Sequence, residues 1–159
     1  MSSILIRRAT PADAVALAQL RYAFRAELGD AVEDEEPFVA RCRAWMEARL
    51  GDGSAWRCWV TEEDGAIVGH AWAQAVEKIP NPVRENEVHA YVTNLYVRPG
   101  LRGGGAGTRL LEAVLAWCRE TGVDAVFLWP SARSRPLYLR HGFAVRDDLL
   151  ELRLPPPEG

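Results

Sequence analysis

Apolar positions along this chain alternate in some stretches and recur at helical spacing in others, and the switches between the two mark its elements. Ile4-Leu5-Ile6-Arg7-Arg8 reads as a first strand. Thr10-Pro11-Ala12-Asp13 predicts a helix start, with Thr as N-cap, Pro at the first helical position and an acid three residues after the cap. Leu17, Leu20, Phe24 and Leu28 form the stripe of that helix, and Gly29 ends it. A second helix is predicted from near Pro37, with Phe38, Cys42, Trp45, Met46 and Leu50 on one side and Gly51 as its stop. Strands follow from Trp56 to Thr61 and from Ala66 to Val76, joined through the hairpin sequence Glu62-Glu63-Asp64-Gly65. Ile79-Pro80-Asn81-Pro82 reads as loop, because proline cannot donate to a sheet ladder.

The next strand, Glu87 to Val97, changes phase along its length. Val88, Ala90 and Val92 are apolar at even positions, whereas Leu95 and Val97 are apolar at odd ones. A β-bulge near Thr93 or Asn94 accounts for the switch and leaves backbone groups free to bind something else. A strand buried on both faces, where phase carries little information, accounts for it equally well. After Pro99 come Gly103, Gly104, Gly105 and Gly107, then a helix with Leu110, Leu111, Val114, Leu115 and Cys118 on one stripe. Gly122 caps that helix, and Asp124 to Trp129 reads as a strand. Ser131 to Pro136 leads into a short helix through Tyr138 and His141, stopped by Gly142. Phe143 to Arg146 and Leu149 to Leu154 are predicted to form a closing hairpin around Asp147-Asp148. The order β-α-α-β-β-β-α-β-α-β-β predicts an α/β fold, a mixed sheet with a βαβ unit at its centre.

A length of 159 residues fits one domain, expected over residues 1–154, with Pro155 to Gly159 as a disordered proline-rich tail. A hydrophobic content of 48% fits a soluble globular protein. The net charge of −3 argues against a nonspecific nucleic-acid binder. No apolar run approaches the length that spans a membrane, and the N-terminus has no signal-peptide pattern. Cys42, Cys58 and Cys118 are scattered, odd in number and set in apolar patterns. They read as reduced core thiols of a cytoplasmic protein, with neither a disulfide frame nor a metal site. The link holding Asp30, Glu33, Asp34, Glu35 and Glu36 has two readings: complement to the dipole of the second helix, or attraction of a cationic substrate.

Strand, glycine loop and helix start together make a phosphate-binding arrangement. Residues without Cβ let backbone N–H groups turn toward an anion, and the helix N-terminus adds unpaired donors. A Walker A loop is excluded, because Ala106 follows Gly105 and the loop holds no lysine. The dinucleotide fingerprint fails at Thr108, where it needs glycine. A glycine-rich surface turn without a ligand is the competing reading of the loop alone. Arg102-x-x-Gly105-x-Gly107 resembles the Arg/Gln-x-x-Gly-x-Gly/Ala signature of the GCN5-related N-acetyltransferase (GNAT) family, whose loop holds the pyrophosphate of acetyl-coenzyme A. Leu95-Tyr96-Val97-Arg98-Pro99 looks like that family's fourth strand, and Leu137 to Phe143 is similar to its L-Y-x-x-x-G-F segment. The resemblance runs from about Ile4 to Leu154. It implies the GNAT fold: a mixed, mostly antiparallel twisted sheet of six to seven strands with a bulged fourth strand, and four helices.

The resemblance further implies an N-acetyltransferase that moves an acetyl group from acetyl-CoA to a primary amine of a small molecule or peptide by direct attack. Implied cofactor-binding residues are Leu95, Tyr96 and Val97 on the strand, the run Arg102, Gly103, Gly104, Gly105, Ala106, Gly107 and Thr108, and Ser131 and Ser134 beyond the fifth strand. Ser131 stands where the family often has an Asn that reaches the pantetheine arm. Tyr138 is implied as the general acid at the leaving sulfur. Glu87 and His89, on the strand before the presumed bulge, are the candidate bases. The family's carboxylate nearer the thioester has no counterpart here, where Tyr91 and Thr93 stand. His70 reads as structural and His141 as the last-turn cation of its helix. Trp45, Trp56, Trp59, Trp72 and Tyr91 are candidates for an aromatic acceptor pocket or for core. A non-catalytic CoA-binding sensor is the alternative to the enzyme, and a homodimer is expected only on base rates.

Overall fold

The hairpin sequence shows how local chemistry sets this sheet. Asp64 and Gly65 both adopt left-handed backbone, φ 49° and 82°, which matches the twist of the flanking strands. In the computed structural model, which describes residues 3–159, they join β2 (Trp56–Glu63) to β3 (Ala66–Glu77). The other strands are β1 (Ile4–Arg8), β4 (Val88–Val97) and β5 (Ala125–Phe127). They form one sheet in the order β1-β2-β3-β4-β5, antiparallel except for the parallel pair β4–β5. The helices are α1 (Ala14–Glu27), α2 (Glu35–Arg49), α3 (Ala106–Glu120) and α4 (Arg135–Arg140). The chain divides into two compact units, one ending at Trp129 and one running from Pro130 to Gly159.

In the larger unit the alternation of the strands sends side chains to two cores. Leu17, Ala18 and Met46 of α1 and α2 pack with Cys58, Val60 and Trp72 on one face. Leu110, Val114 and Cys118 of α3 pack with Trp59, Ala71, Ala90 and Val92 on the other. The three cysteines are unbridged, and Cys58 and Cys118 are buried. The Thr10 N–H donates to the Asp13 carboxylate at 2.8 Å, which satisfies a donor at the helix start. Arg7 grips the same carboxylate at 2.9 and 3.0 Å and Glu62 at 2.8 Å, tying the start of α1 to β1 and β2.

Two elements differ from their sequence reading. The second helix begins at Glu35, so Pro37 sits inside its first turn, where a missing N–H costs nothing. The sheet has five strands among the described residues, and neither Phe143–Arg146 nor Leu149–Leu154 forms one. Val145, Leu149, Leu150, Leu152 and Leu154 are all exposed. A two-stranded ribbon with no buried face is marginal in water, so alternation alone does not hold it.

Candidate active site

β4 changes register opposite β3. Trp72 pairs with Thr93 and His70 with Tyr96, so Asn94 and Leu95 together face Ala71. The phase switch in the sequence is therefore a bulge. Asn94 sits at φ 60°, a left-handed conformation that Asn tolerates better than most residues. The Arg21 Nη1 donates to its Oδ1 at 2.9 Å and holds it there. Gly69 lies across from Val97, and a Cβ on it would stand 2.8 Å from the Tyr96 carbonyl oxygen, so only glycine allows β3 to approach this closely. On its other side β4 pairs with β5 only from His89 to Tyr91. From Val92 to Val97 that edge has no β5 partner among the described residues, and Leu95 and Val97 lie along it.

The glycine loop follows directly. After a short turn at Pro99–Leu101, Gly103 and Gly105 both adopt φ +85°. A Cβ at either would meet no protein atom within 4 Å, so the space over the loop is open. Gly105 is the N-cap of α3, no side chain caps that helix, and its first turn carries no acid. The leading N–H groups at Ala106, Gly107 and Thr108 thus keep their donor capacity for an anion, reinforced by the helix dipole. The Arg102 side chain is held by protein partners. Its Nε donates to the Val97 carbonyl at 2.8 Å and its fork grips Glu27 at 2.6 and 2.8 Å, with the guanidinium 5.4 Å from the Tyr96 ring centroid. The side chain braces the loop against the end of β4 and against Glu27.

Glu87 and His89 stand at the opposite end of β4 from the bulge. Glu87 precedes the strand at φ 61°, and its carbonyl accepts from the Lys78 N–H at 2.8 Å. At the rise of an extended chain, His89 lies about 17 Å from Asn94 along the strand, and Glu87 farther. Neither reaches the bulge directly.

The smaller unit shows why the L-Y-x-x-x-G-F pattern exists. Gly142 at φ +89° ends α4, with its N–H bonded to the Leu139 carbonyl and the Phe143 N–H to that of Tyr138. This Schellman turn folds Phe143 back onto Tyr138, ring centroids 5.4 Å apart. The Tyr138 hydroxyl is pushed up to about 12 by burial, with the Ser134 hydroxyl acting in the opposite sense. Ser131 and Ser134 bond each other, Oγ to Oγ at 2.8 Å, and each backbone N–H donates to the other's hydroxyl. In this arrangement they close the turn that leads into α4, whose N-cap, Ser134, makes no side-chain cap hydrogen bond. The His141 Nδ1 stands 2.9 Å from the Leu137 carbonyl, within that helix's last turn.

Four of the five aromatic candidates gather on the α1–α2 face. Trp45, Trp56 and Trp72 lie within 6.2 Å of one another by ring centroid, and Trp56 reaches Tyr91 at 6.4 Å. Trp59 points the other way, against Trp117 of α3. The acidic link is largely spent locally: Asp30 pairs with Arg25, Glu33 with Arg41, and Asp34 to Glu36 open α2. The reading as a dipole complement fits this placement.

His70 is fully buried beside the bulge, and among the described residues neither ring nitrogen has a hydrogen-bond partner. The Asn94 backbone faces the ring outside hydrogen-bond geometry. Burial first, and the Arg21 charge second, push its pKa down to about 3. The folded state therefore refuses a proton that the unfolded chain accepts below about pH 6.5. Stability is full above that pH and falls as pH drops from there toward 3. Denaturant unfolding is expected to show a loss of about 2 kcal/mol between pH 7 and pH 5, and His70→Gln is expected to flatten that slope. An unchanged slope in the variant assigns the pH dependence elsewhere.

The bulged end of β4, without a β5 partner among the described residues, leads through the glycine loop into a helix start that no side chain caps. The acetyltransferase (GNAT) family model matches residues 17–143, and the chain belongs to that family. It is 32% identical over 121 residues to an aminoglycoside N(6')-acetyltransferase type 1 of Stenotrophomonas maltophilia, covering 76% of this chain and 71% of that one. It is 34% identical over 87 residues to a mycothiol acetyltransferase of Propionibacterium freudenreichii, covering 53% of this chain but 26% of that longer protein. Among solved structures, a predicted acetyltransferase of Clostridium acetobutylicum crystallised with acetyl-CoA superposes with TM-score 0.80 at 24% identity, covering 95% of this chain and 96% of that one. A GCN5-related N-acetyltransferase of Ralstonia eutropha does so with TM-score 0.76 at 27% identity, covering 95% and 99%. This is an enzyme of the N-acetyltransferase class. Among the described residues no group of His, Cys, Asp or Glu could hold a metal ion, and no helix is long and apolar enough to cross a membrane.

Proposed function

We propose that this chain transfers the acetyl group of acetyl-CoA to a primary amine of a small molecule or peptide by direct attack. The observation that carries the reading is the row of uncapped N–H groups at the start of α3, next to the unpaired edge of β4. Open space over Gly103 and Gly105 fits a pyrophosphate against the backbone of Arg102 to Thr108. Leu95, Tyr96 and Val97 supply the strand edge for the pantetheine arm, and a backbone N–H there stabilises the developing oxyanion. Ser131 and Ser134, at the turn that leads into the helix carrying Tyr138, supply hydroxyls for the pantetheine arm. Relatives named for small-molecule acceptors support an acceptor of that size.

The step balances simply. The neutral amine nitrogen forms a bond to the thioester carbon, the C–S bond breaks, one N–H proton leaves, and the thiolate gains one. Tyr138 is the donor at sulfur. A phenol held near 12 cannot hand its proton outright to a thiolate of ordinary basicity, near 8.5. It acts by donating a hydrogen bond as charge builds on sulfur, and the thiolate takes its proton from solvent water. Glu87 and His89 remain the candidate bases, working through water over the distance that separates them from the bulge. Thiol release from acetyl-CoA, measured with a panel of amines, tests the reading. Release that requires an amine and yields its acetamide is expected. CoA binding without release on any amine would leave a binding module in its place.

A further inference from the structure

A cavity of about 400 Å³ lies between α1, α2 and the bulged face of β3 and β4, with Arg21, Arg41, Trp45, Trp56, Trp72 and Asn94 among its walls. Every charged side chain in that wall is a guanidinium, and no carboxylate lines it. A polycationic acceptor would meet like charge here. Two of the aromatic rings in the wall already carry a cation: the Arg49 guanidinium stands 4.9 Å over Trp45, and that of Arg41 5.5 Å over Phe38.

The two lining arginines differ. Arg41 is paired with Glu33 at the surface. Arg21 is half-buried and makes no ion pair among the described residues; its polar partner is the neutral Asn94 amide. A guanidinium has five donors in a rigid fork that fits a carboxylate, and withdrawing it from water without a counter-charge is costly. Its cost is met when an anion enters. We propose that the acceptor is an amine on an aromatic or otherwise apolar body that also bears a carboxylate, with the ring among Trp45, Trp56 and Trp72 and the carboxylate on Arg21. The inference rests on the acetyltransfer reading above and names its substrate class. The amine of such a molecule, held near Thr93 and Asn94, would lie at the bulge where the thioester is to be received. It takes the acetyl group, gives up one N–H proton, and leaves the thiol of coenzyme A.

Matched amines test this on the whole protein. Acetyl transfer is measured for phenylalanine against phenethylamine, for tryptophan against tryptamine, and for kanamycin as a polycation. The member with the carboxylate is expected to show kcat/KM about 10- to 100-fold higher, the worth of a charge-assisted bidentate contact. Arg21→Gln is expected to collapse that ratio, and Arg21→Lys, which keeps charge and loses the fork, to retain part of it; circular dichroism checks that both fold. Quenching of tryptophan fluorescence by phenylacetate, with benzyl alcohol as its uncharged counterpart, reads the cavity without coenzyme A or turnover. Quenching by phenylacetate alone, lost in Arg21→Gln, supports the proposal. Pair ratios within about threefold, a preference for kanamycin, or quenching that ignores position 21 would overturn it. A protein that fails to bind coenzyme A but binds phenylacetate through Arg21 refutes the acetyltransfer reading instead, so the two failures are distinct.

Discussion

Gly105→Val is expected to lose coenzyme A binding by more than about 100-fold in a calorimetric titration, because a branched side chain displaces the anion from at least two charge-assisted N–H contacts. The expectation has two physical parts that need separating. A Cβ at Gly105 meets no protein atom within 4 Å, so the variant does not clash in the unliganded fold. It does carry a β-branched residue at φ +85°, where any L side chain is strained. Gly53 supplies the control, since it has φ +78° and equally open space, far along the sequence from the loop. Gly53→Val should show a similar drop in melting temperature and unchanged affinity for coenzyme A. Gly105→Asn tolerates the left-handed backbone yet still fills the space, so it should bind weakly while melting close to wild type. Full affinity in Gly105→Asn and Gly105→Val together would remove the phosphate from this loop.

The phase switch was legible in the sequence because burial imposes a phase on each strand, but a strand buried on both faces explained it equally well, and the register opposite β3 decides for the bulge. Val92 and Leu95 both face the α3 core, and the only way to keep both inward across an odd step is to insert a residue. The helix stop at Gly142 was legible from the glycine itself, and the structure shows that it takes the form of a Schellman turn. What could not be read were placements that depend on partners remote in the chain. Arg21 looks like any polar position on an amphipathic helix, and only the fold brings it to Asn94, 73 residues away. The motif arginine, Arg102, faces Glu27 for the same kind of reason, across 75 residues. The alternation of Leu150, Leu152 and Leu154 promised a strand, but alternation reports a strand only where a second surface buries one side, and these leucines are exposed.

Those same considerations set the final expectation. Tyr138→Phe keeps the ring that packs on Phe143 and removes only a hydroxyl, so the fold and coenzyme A affinity should change little. Loss of a donor aimed at developing charge typically costs about 100-fold or more in kcat, and that fall is expected here. Because burial holds the hydroxyl near 12, Tyr138 stays protonated throughout the working range. Its titration therefore leaves no descending limb in the pH profile below about pH 11, and the rise of kcat/KM with pH reports deprotonation of the acceptor amine in both proteins. The size of the loss should also follow the leaving group. An acyl donor with a more acidic thiol releases a thiolate that needs less stabilisation, and the gap between Tyr138→Phe and wild type should narrow with it. A variant that matches wild type with a good amine, or whose deficit is the same for every thiol, would make Tyr138 a packing residue and leave water as the donor at sulfur.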